Sequence, residues 1–300
     1  MIPLALITGF LGSGKTTFLR ALAERERDRR LVFLVNEFSA LDVDGDLVAE
    51  VARDVVRVPG GSIFCRCVVA DFIAQMRAVP ERFAPIDGLV VEASGIADPG
   101  VVAKLLADTG LDRLYQLAAV VSLVDPGTLP KLLKTLPNMA AQIRAADLVL
   151  VNKQDLYTDA ELAAAEALVR ELNPRAELRR TTRATFAGDL FALRSAGQAE
   201  GDYAACRDPH FARFELGTAG TVDAAELQRA VTGLGPLLYR LKGVVHTPDG
   251  DQRIEAVAGR YEAQSVTNHQ GPYGLAAICA GGAKPIVEQK LRKCETARFS

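Results

Sequence analysis

Gly9-Phe-Leu-Gly-Ser-Gly-Lys15-Thr16 has the spacing G-x-x-x-x-G-K-[ST]. Glycines let a backbone wrap an anion, so several N–H groups converge on one phosphate. The start of a following helix adds its positive end. Gly9, Gly12, Ser13 and Gly14 form the loop, and Thr17 belongs to the same nucleotide-contacting stretch. Lys15 is spaced to reach β- and γ-phosphates, and Thr16 to offer its hydroxyl to Mg²⁺. A second group addresses the base. Asn152-Lys153-Gln154-Asp155 follows an apolar run late in the same region. A carboxylate at Asp155 accepts from both N1–H and the 2-amino group of guanine. Adenine presents a bare N1 acceptor and leaves the carboxylate unpaired, a costly mismatch. In the third group, Gly88-Leu-Val-Val-Glu92-Ala-Ser-Gly95, an apolar strand ends in a carboxylate with a glycine three residues on. Glu92 is placed to hold a Mg²⁺ water, and the Gly95 N–H to meet a γ-phosphate and sense its loss.

Five cysteines are too few for a disulfide scaffold. Cys206, Cys279 and Cys294 are scattered, whereas Cys65 and Cys67 flank Arg66, which favours thiolates. Such a pair can share a soft ion such as Zn²⁺ or Co²⁺, or can serve as two small core residues; the spacing allows both. The three histidines, His210, His246 and His269, all lie far along the chain. They fit satisfied polar groups or a client-facing site. Asp42, Asp44 and Asp46 fail as an EF-hand, because Leu47 and Arg53 occupy its glycine and glutamate positions, so a solvated loop is expected.

Strands and helices must place these residues. Apolar runs at Pro3–Thr8, Leu31–Val35, Asp54–Val58, Gly88–Glu92, Ala118–Val124 and Leu148–Asn152 read as strands buried on both faces. Helical patterns at Lys15–Arg29, Val68–Val79, Gly100–Thr109 and Ala160–Leu172 alternate with them. This predicts an α/β P-loop NTPase domain with a mostly parallel sheet over residues 1–200. The pattern changes between 195 and 210. Strands at Phe211–Leu216, Leu237–His246, Gln252–Ala258 and Tyr261–Val266, with helices at Asp223–Thr232 and Lys284–Lys293, predict a small α+β C-terminal domain over 208–300, antiparallel in its sheet.

The 300 residues are 49% hydrophobic and 24% charged, which excludes a disordered chain. Thirty-five basic against 37 acidic residues give a net charge of −2, so no general attraction to nucleic acid or to a membrane surface is expected. The opening MIPLALITGF lacks a basic secretory n-region, and no apolar run approaches the roughly 20 residues of a membrane span. A soluble cytoplasmic protein is the expectation.

Taken in order, GFLGSGKTT, VNEF, VEASGIADP and NKQD resemble the CobW-type GTPases, relatives of the nickel-insertion GTPases UreG and HypB. The resemblance extends to Tyr239-Arg-Leu-Lys-Gly243, similar to an Arg-x-Lys-Gly element of the family's C-terminal domain. It implies slow GTP hydrolysis with Mg²⁺, coupled to delivering a metal or metal cofactor to a client metalloenzyme or cofactor-dependent protein. A homodimer is compatible with it. It also implies a metal site to which Glu37 adds an oxygen. The family's Cys-x-Cys-Cys motif is altered here: Ser62 and Phe64 replace its first two cysteines, Cys65 survives and Cys67 is extra, while Ser39 replaces a usual glycine. Two rivals follow: a GTP-gated protein chaperone or reactivase that binds no metal itself, and a small-molecule kinase, against which NKQD speaks. Arg20 and Arg25 lie on the first helix, facing away from an arginine-finger position.

Overall fold

The computed structural model describes residues 1–37, 44–59, 69–95, 97–193, 211–257 and 259–298. They form two compact units, one with residues 1–37 and 44–193, the other beginning at residue 211. Asp42, Ser62, Phe64, Cys65, Cys67, Cys206 and His210 lie outside the described residues, as do the expected boundary region and the side chain of Glu37.

The first unit has strands β1 (Ile2–Gly9), β2 (Leu31–Glu37), β3 (Asp54–Pro59), β4 (Gly88–Glu92), β5 (Tyr115–Val124), β6 (Leu148–Val151) and β7 (Glu177–Arg180). They form one sheet in the order β3-β2-β4-β1-β5-β6-β7, and every pairing is parallel. The helices are α1 (Lys15–Arg25), α2 (Asp44–Ala49), α3 (Val69–Phe83), α4 (Val101–Asp108), α5 (Leu129–Thr135), α6 (Pro137–Arg144) and α7 (Asp159–Leu172). Alternate residues of each strand enter different cores, the reason the strands read as unbroken apolar runs. Leu4 and Leu6 pack with Phe72 and Met76 of α3 and Leu105 of α4, whereas Ala5 and Ile7 pack with Phe18, Leu19 and Leu22 of α1. Strand β1 lies between β4 and β5, so the chain leaves its carboxyl end where the topology switches direction, the usual ligand crevice of an open α/β sheet.

Several sequence expectations need correction. Helix α1 stops at Arg25, not Arg29: the Glu26 N–H closes on Leu22 O at 2.9 Å, and the next residues turn to enter β2. Asp44 and Asp46 lie in helix α2, not a loop, and Asp46 pairs with Arg57 of β3. Helix α3 continues past Val79 and carries Pro80 inside it. Helices α5 and α6 and strand β7 were not anticipated. The two helices are short and carry a proline that reads as a breaker at their first or second residue, and β7 (ELRR) is an edge strand with a single apolar residue.

The second unit has strands β8 (Phe211–Gly217), β9 (Gly220–Val222), β10 (Leu238–Thr247), β11 (Gly250–Val257), β12 (Arg260–Ser265), β13 (Gly274–Ala280) and β14 (Glu295–Arg298), with helices α8 (Ala224–Leu234) and α9 (Lys284–Arg292). Five strands form an antiparallel sheet, β12-β11-β10-β13-β8, and β14 pairs with β9. Leu227 and Val231 of α8 and Val287 and Leu291 of α9 pack on Leu241, Val245, Ile254 and Ala277. The α+β expectation agrees with this, although β9, β13 and β14 were not foreseen. Strand β13 (GLAAICA) is rich in alanine, which carries no strand preference of its own.

Candidate functional site

Three of the predicted motifs converge at the carboxyl ends of β1, β4 and β6. The loop 9–14 leaves β1 through Gly9 and enters α1 after Gly14, with backbone φ of 138° and 110° respectively. Both angles are open to glycine and strained for other residues. Space closes the same positions: a Cβ on Gly9 would sit 2.4 Å from Leu123 O, and one on Gly14 2.3 Å from Asn152 Nδ2. Ser13 N donates to Phe10 O at 3.1 Å and Phe18 N to Gly14 O at 2.9 Å, so the loop closes on itself as the helix begins. Lys15 is buried, and its Nζ donates to Gly9 O at 3.0 Å and Phe10 O at 3.4 Å. Thr16 is half-buried and Thr17 exposed at the head of α1.

Glu92 ends β4, opposite Ile7 of β1, and its Oε1 lies 4.0 Å from Lys15 Nζ. Both side chains are buried, so this pair sits in a low dielectric that strengthens its attraction. The chain beyond Glu92 returns to the phosphate loop. Ala93 N donates to Ile7 O at 2.9 Å, and a Cβ on Gly95 would stand 2.8 Å from Leu11 N. The sequence analysis expected Lys15 and Gly95 at the phosphates and Glu92 at a Mg²⁺ water; the fold sets Glu92 beside Lys15 and Gly95 beside Leu11 of the same loop.

Asn152 follows β6 and is buried. Its Nδ2 donates to Ser13 O at 2.8 Å, and its Oδ1 accepts from Ala184 N at 2.8 Å. One side chain thus joins the phosphate loop to the segment after β7. Lys153 adopts φ 61°, and its Nζ donates to Asp125 Oδ2 at 2.9 Å. Asp125 also accepts from Gly127 N and from the Tyr157 hydroxyl. Asp155 lies in the single turn Gln154–Leu156 and is exposed, its carboxylate open to a ligand edge. Asp125, Ala184 and Gln142 were missed in the sequence. A carboxylate just past the apolar β5 run was the available signal for Asp125; nothing in sequence singles out the other two.

The site's shape and chemistry suit a nucleoside phosphate. Gly9 and Gly14 let the loop follow a backbone path closed to residues with a Cβ, and buried Lys15 supplies a cation beside it. The hydroxyls of Thr8 and Ser13 are buried with no hydrogen-bond partner among the described residues, groups that an anion can satisfy. Thr16 and Glu92 are oxygen donors of the kind Mg²⁺ takes. Elsewhere, Arg20 pairs with Glu50 at 3.2 Å and Arg25 with Glu26 at 2.7 Å. His246 Nδ1 meets Asp251 Oδ1 at 2.8 Å, and His269 Nε2 meets Pro272 O at 3.4 Å. Among the described residues no three His, Cys, Asp or Glu side chains gather as a metal site, and no helix is long and apolar enough to cross a membrane.

Comparison with known proteins adds a family. The model of the CobW/HypB/UreG nucleotide-binding domain matches residues 3–180. The chain is 34% identical over 157 residues to the zinc chaperone YeiR of Escherichia coli, covering 51% of this chain and 47% of the relative. It is 29% identical over 192 residues to zinc-regulated GTPase metalloprotein activator 1 of Schizosaccharomyces pombe, covering 60% and 46%. With a zinc chaperone CobW of Sinorhizobium it shares 28% over 285 residues, covering 83% and 79%. The chain spans about half the length of the first two relatives.

Proposed function

Because this chain belongs to the CobW/HypB/UreG family, we propose that it binds GTP with Mg²⁺ and hydrolyses it slowly, coupling nucleotide state to delivery of a metal to a client protein. The observation that carries the nucleotide reading is Asn152, whose amide holds both the phosphate loop at Ser13 and the Ala184 segment beside the base motif. In this reading Gly9, Gly12, Ser13, Gly14, Thr16 and Thr17 direct donors at the phosphates, and Lys15 exchanges its loop carbonyls for phosphate oxygens. Asn152 and Lys153 brace the base pocket, and Asp155 accepts from guanine. Thr16 and Glu92 would hold Mg²⁺, which would supply neutralisation of phosphate charge. Hydrolysis forms a bond from water oxygen to the γ-phosphorus and breaks the β–γ bridging P–O bond, whose electron pair leaves with GDP. Lys15 and the loop amides stabilise the charge that develops there. Arg20 and Arg25 have carboxylate partners on the surface, so without a partner protein turnover is slow.

The cargo arm of the proposal rests on Cys65, Cys67 and Glu37, with Zn²⁺ or Co²⁺ as the metal; the names of the relatives favour zinc. The altered cysteine motif favours a second reading, a GTP-gated protein chaperone or reactivase that binds no metal itself. Metal titration of the reduced protein, with and without GTP and Mg²⁺, on wild type and on Cys65→Ser/Cys67→Ser, separates the two. One thiol-dependent metal per chain whose affinity responds to GTP supports delivery through this loop. Absence of metal binding supports the second reading, and binding that survives loss of both thiols overturns delivery through this loop.

A further inference from the structure

Helix α6 carries a side chain that the nucleotide motifs leave unexplained. Gln142 is 0% exposed. Its Nε2 donates to Gly95 O at 3.2 Å and to Ala97 O at 3.0 Å. Both partners are acceptors, so only the amide nitrogen can face them. They belong to the segment after Glu92, which is also held where Ala93 N donates to Ile7 O of β1 and where Gly95 closely approaches Leu11. A side chain 47 residues away therefore anchors the carbonyl of Gly95, the residue that closely approaches Leu11 of the phosphate loop. Helix α6 leads into β6, and the residue after β6 is Asn152, which holds Ser13 O. The contacts close a ring: phosphate loop to Gly95, Gly95 to Gln142, α6 through β6 to Asn152, and Asn152 back to the phosphate loop.

We propose that Gln142 is a positioning residue: its amide fixes the Gly95 loop where the Gly95 N–H meets a γ-phosphate, and so sets the preference for GTP over GDP. The inference rests on the GTP reading above. A loop already held by Gln142 needs no ordering when a triphosphate binds. Without the clamp, that ordering cost falls only on the ligand that reaches Gly95. GDP has no γ-phosphate and escapes it. The Gln142 Oε1 meets no donor among the described residues, so the two N–H bonds are the side chain's specific contribution there.

Gln142→Met keeps length and apolar contact while removing the donor. Gln142→Asn keeps the amide but shortens its reach by one methylene, and serves if the first variant folds poorly. GTP and GDP affinities are measured by fluorescence titration. Amide exchange of the nucleotide-free protein is measured over residues 93–98, with α1 as the internal control. The expected result is a GTP-to-GDP affinity ratio lowered about tenfold, with GDP changed less than about twofold. Exchange over 93–98 rises and that over α1 does not. A purely structural glutamine would weaken both nucleotides together and lower Tm; that outcome, or an unchanged ratio, overturns the proposal. A wild-type protein that binds neither guanine nucleotide overturns the GTP reading and the discriminating role with it. The exchange arm then decides the clamp alone, and unchanged exchange over 93–98 overturns that as well.

Discussion

Asp155 and Gly14 carry the sharpest expectations at the scale of single residues. The Asp155 carboxylate is exposed and its only proposed task is to accept from guanine, so Asp155→Ala is expected to weaken GTP binding about 100-fold while leaving Tm near that of wild type. Competition by ATP against a fluorescent guanine nucleotide checks the same point: ATP should displace it poorly from wild type. Gly14→Ala acts differently. Its backbone φ of 110° is strained for alanine, and the new methyl would meet the Asn152 amide at 2.3 Å. Nucleotide binding and stability should fall together, by about 1–3 kcal/mol in the unfolding free energy read by urea denaturation. Both residues lie in motifs whose spacing is legible in the sequence, because phosphate and guanine recognition each fix residue types at set intervals.

Between elements, single buried amides hold neighbouring segments in place. Asn173, after α7, donates to Ile143 O, Arg144 O and Ala146 O, and accepts from Arg175 N and Ala176 N. One side chain therefore caps the end of α6 and shapes the turn into β7. Asn173→Ala leaves several of those backbone groups unpaired, so a loss of about 2–4 kcal/mol is expected in urea denaturation. Helix α7 itself is well signposted: Thr158 and Glu161 form a reciprocal cap, and Thr158→Ala should cost about 1 kcal/mol. That cap is readable in sequence as T-x-x-E. Asn173 and Gln142 are not, because their partners are backbone carbonyls supplied by other elements, and a carbonyl leaves no mark in the residue letters.

For the molecule as a whole, the two units differ in chemistry as well as topology. In the first, the parallel sheet buries its strands on both faces and leaves its chemistry at one end. In the second, a hydrogen-bonded group joins β10, β11 and the residue before β13: His246 to Asp251 Oδ1, and the Tyr273 hydroxyl to Asp251 Oδ2 at 2.8 Å. The hydrogen bond from His246, then that from Tyr273, holds the Asp251 carboxyl below its ordinary value of 3.8. A lowered acid pKa contributes stability that is complete above the unfolded value and is lost as pH falls through the folded one. Tm of wild type should thus fall on acidification below about pH 4 more steeply than that of Asp251→Asn, as thermal melts across that range would show.

The phosphate-loop spacing, the Asn152–Asp155 motif, the Glu92–Gly95 motif and the α/β-then-α+β order were all legible in the residue letters. Each is written in local spacing, in side-chain type or in the period of apolar residues. The tertiary structure alone decided that β1 sits between β4 and β5, which is what brings Glu92 to within 4.0 Å of Lys15. It alone decided that Asn152 reaches Ser13 and that Gln142 grips the Gly95 loop. Those contacts join residues 139 and 47 positions apart. Strand order, not neighbouring sequence, sets such distances, because the hydrogen bonds that select a strand's neighbours use the backbone common to every residue.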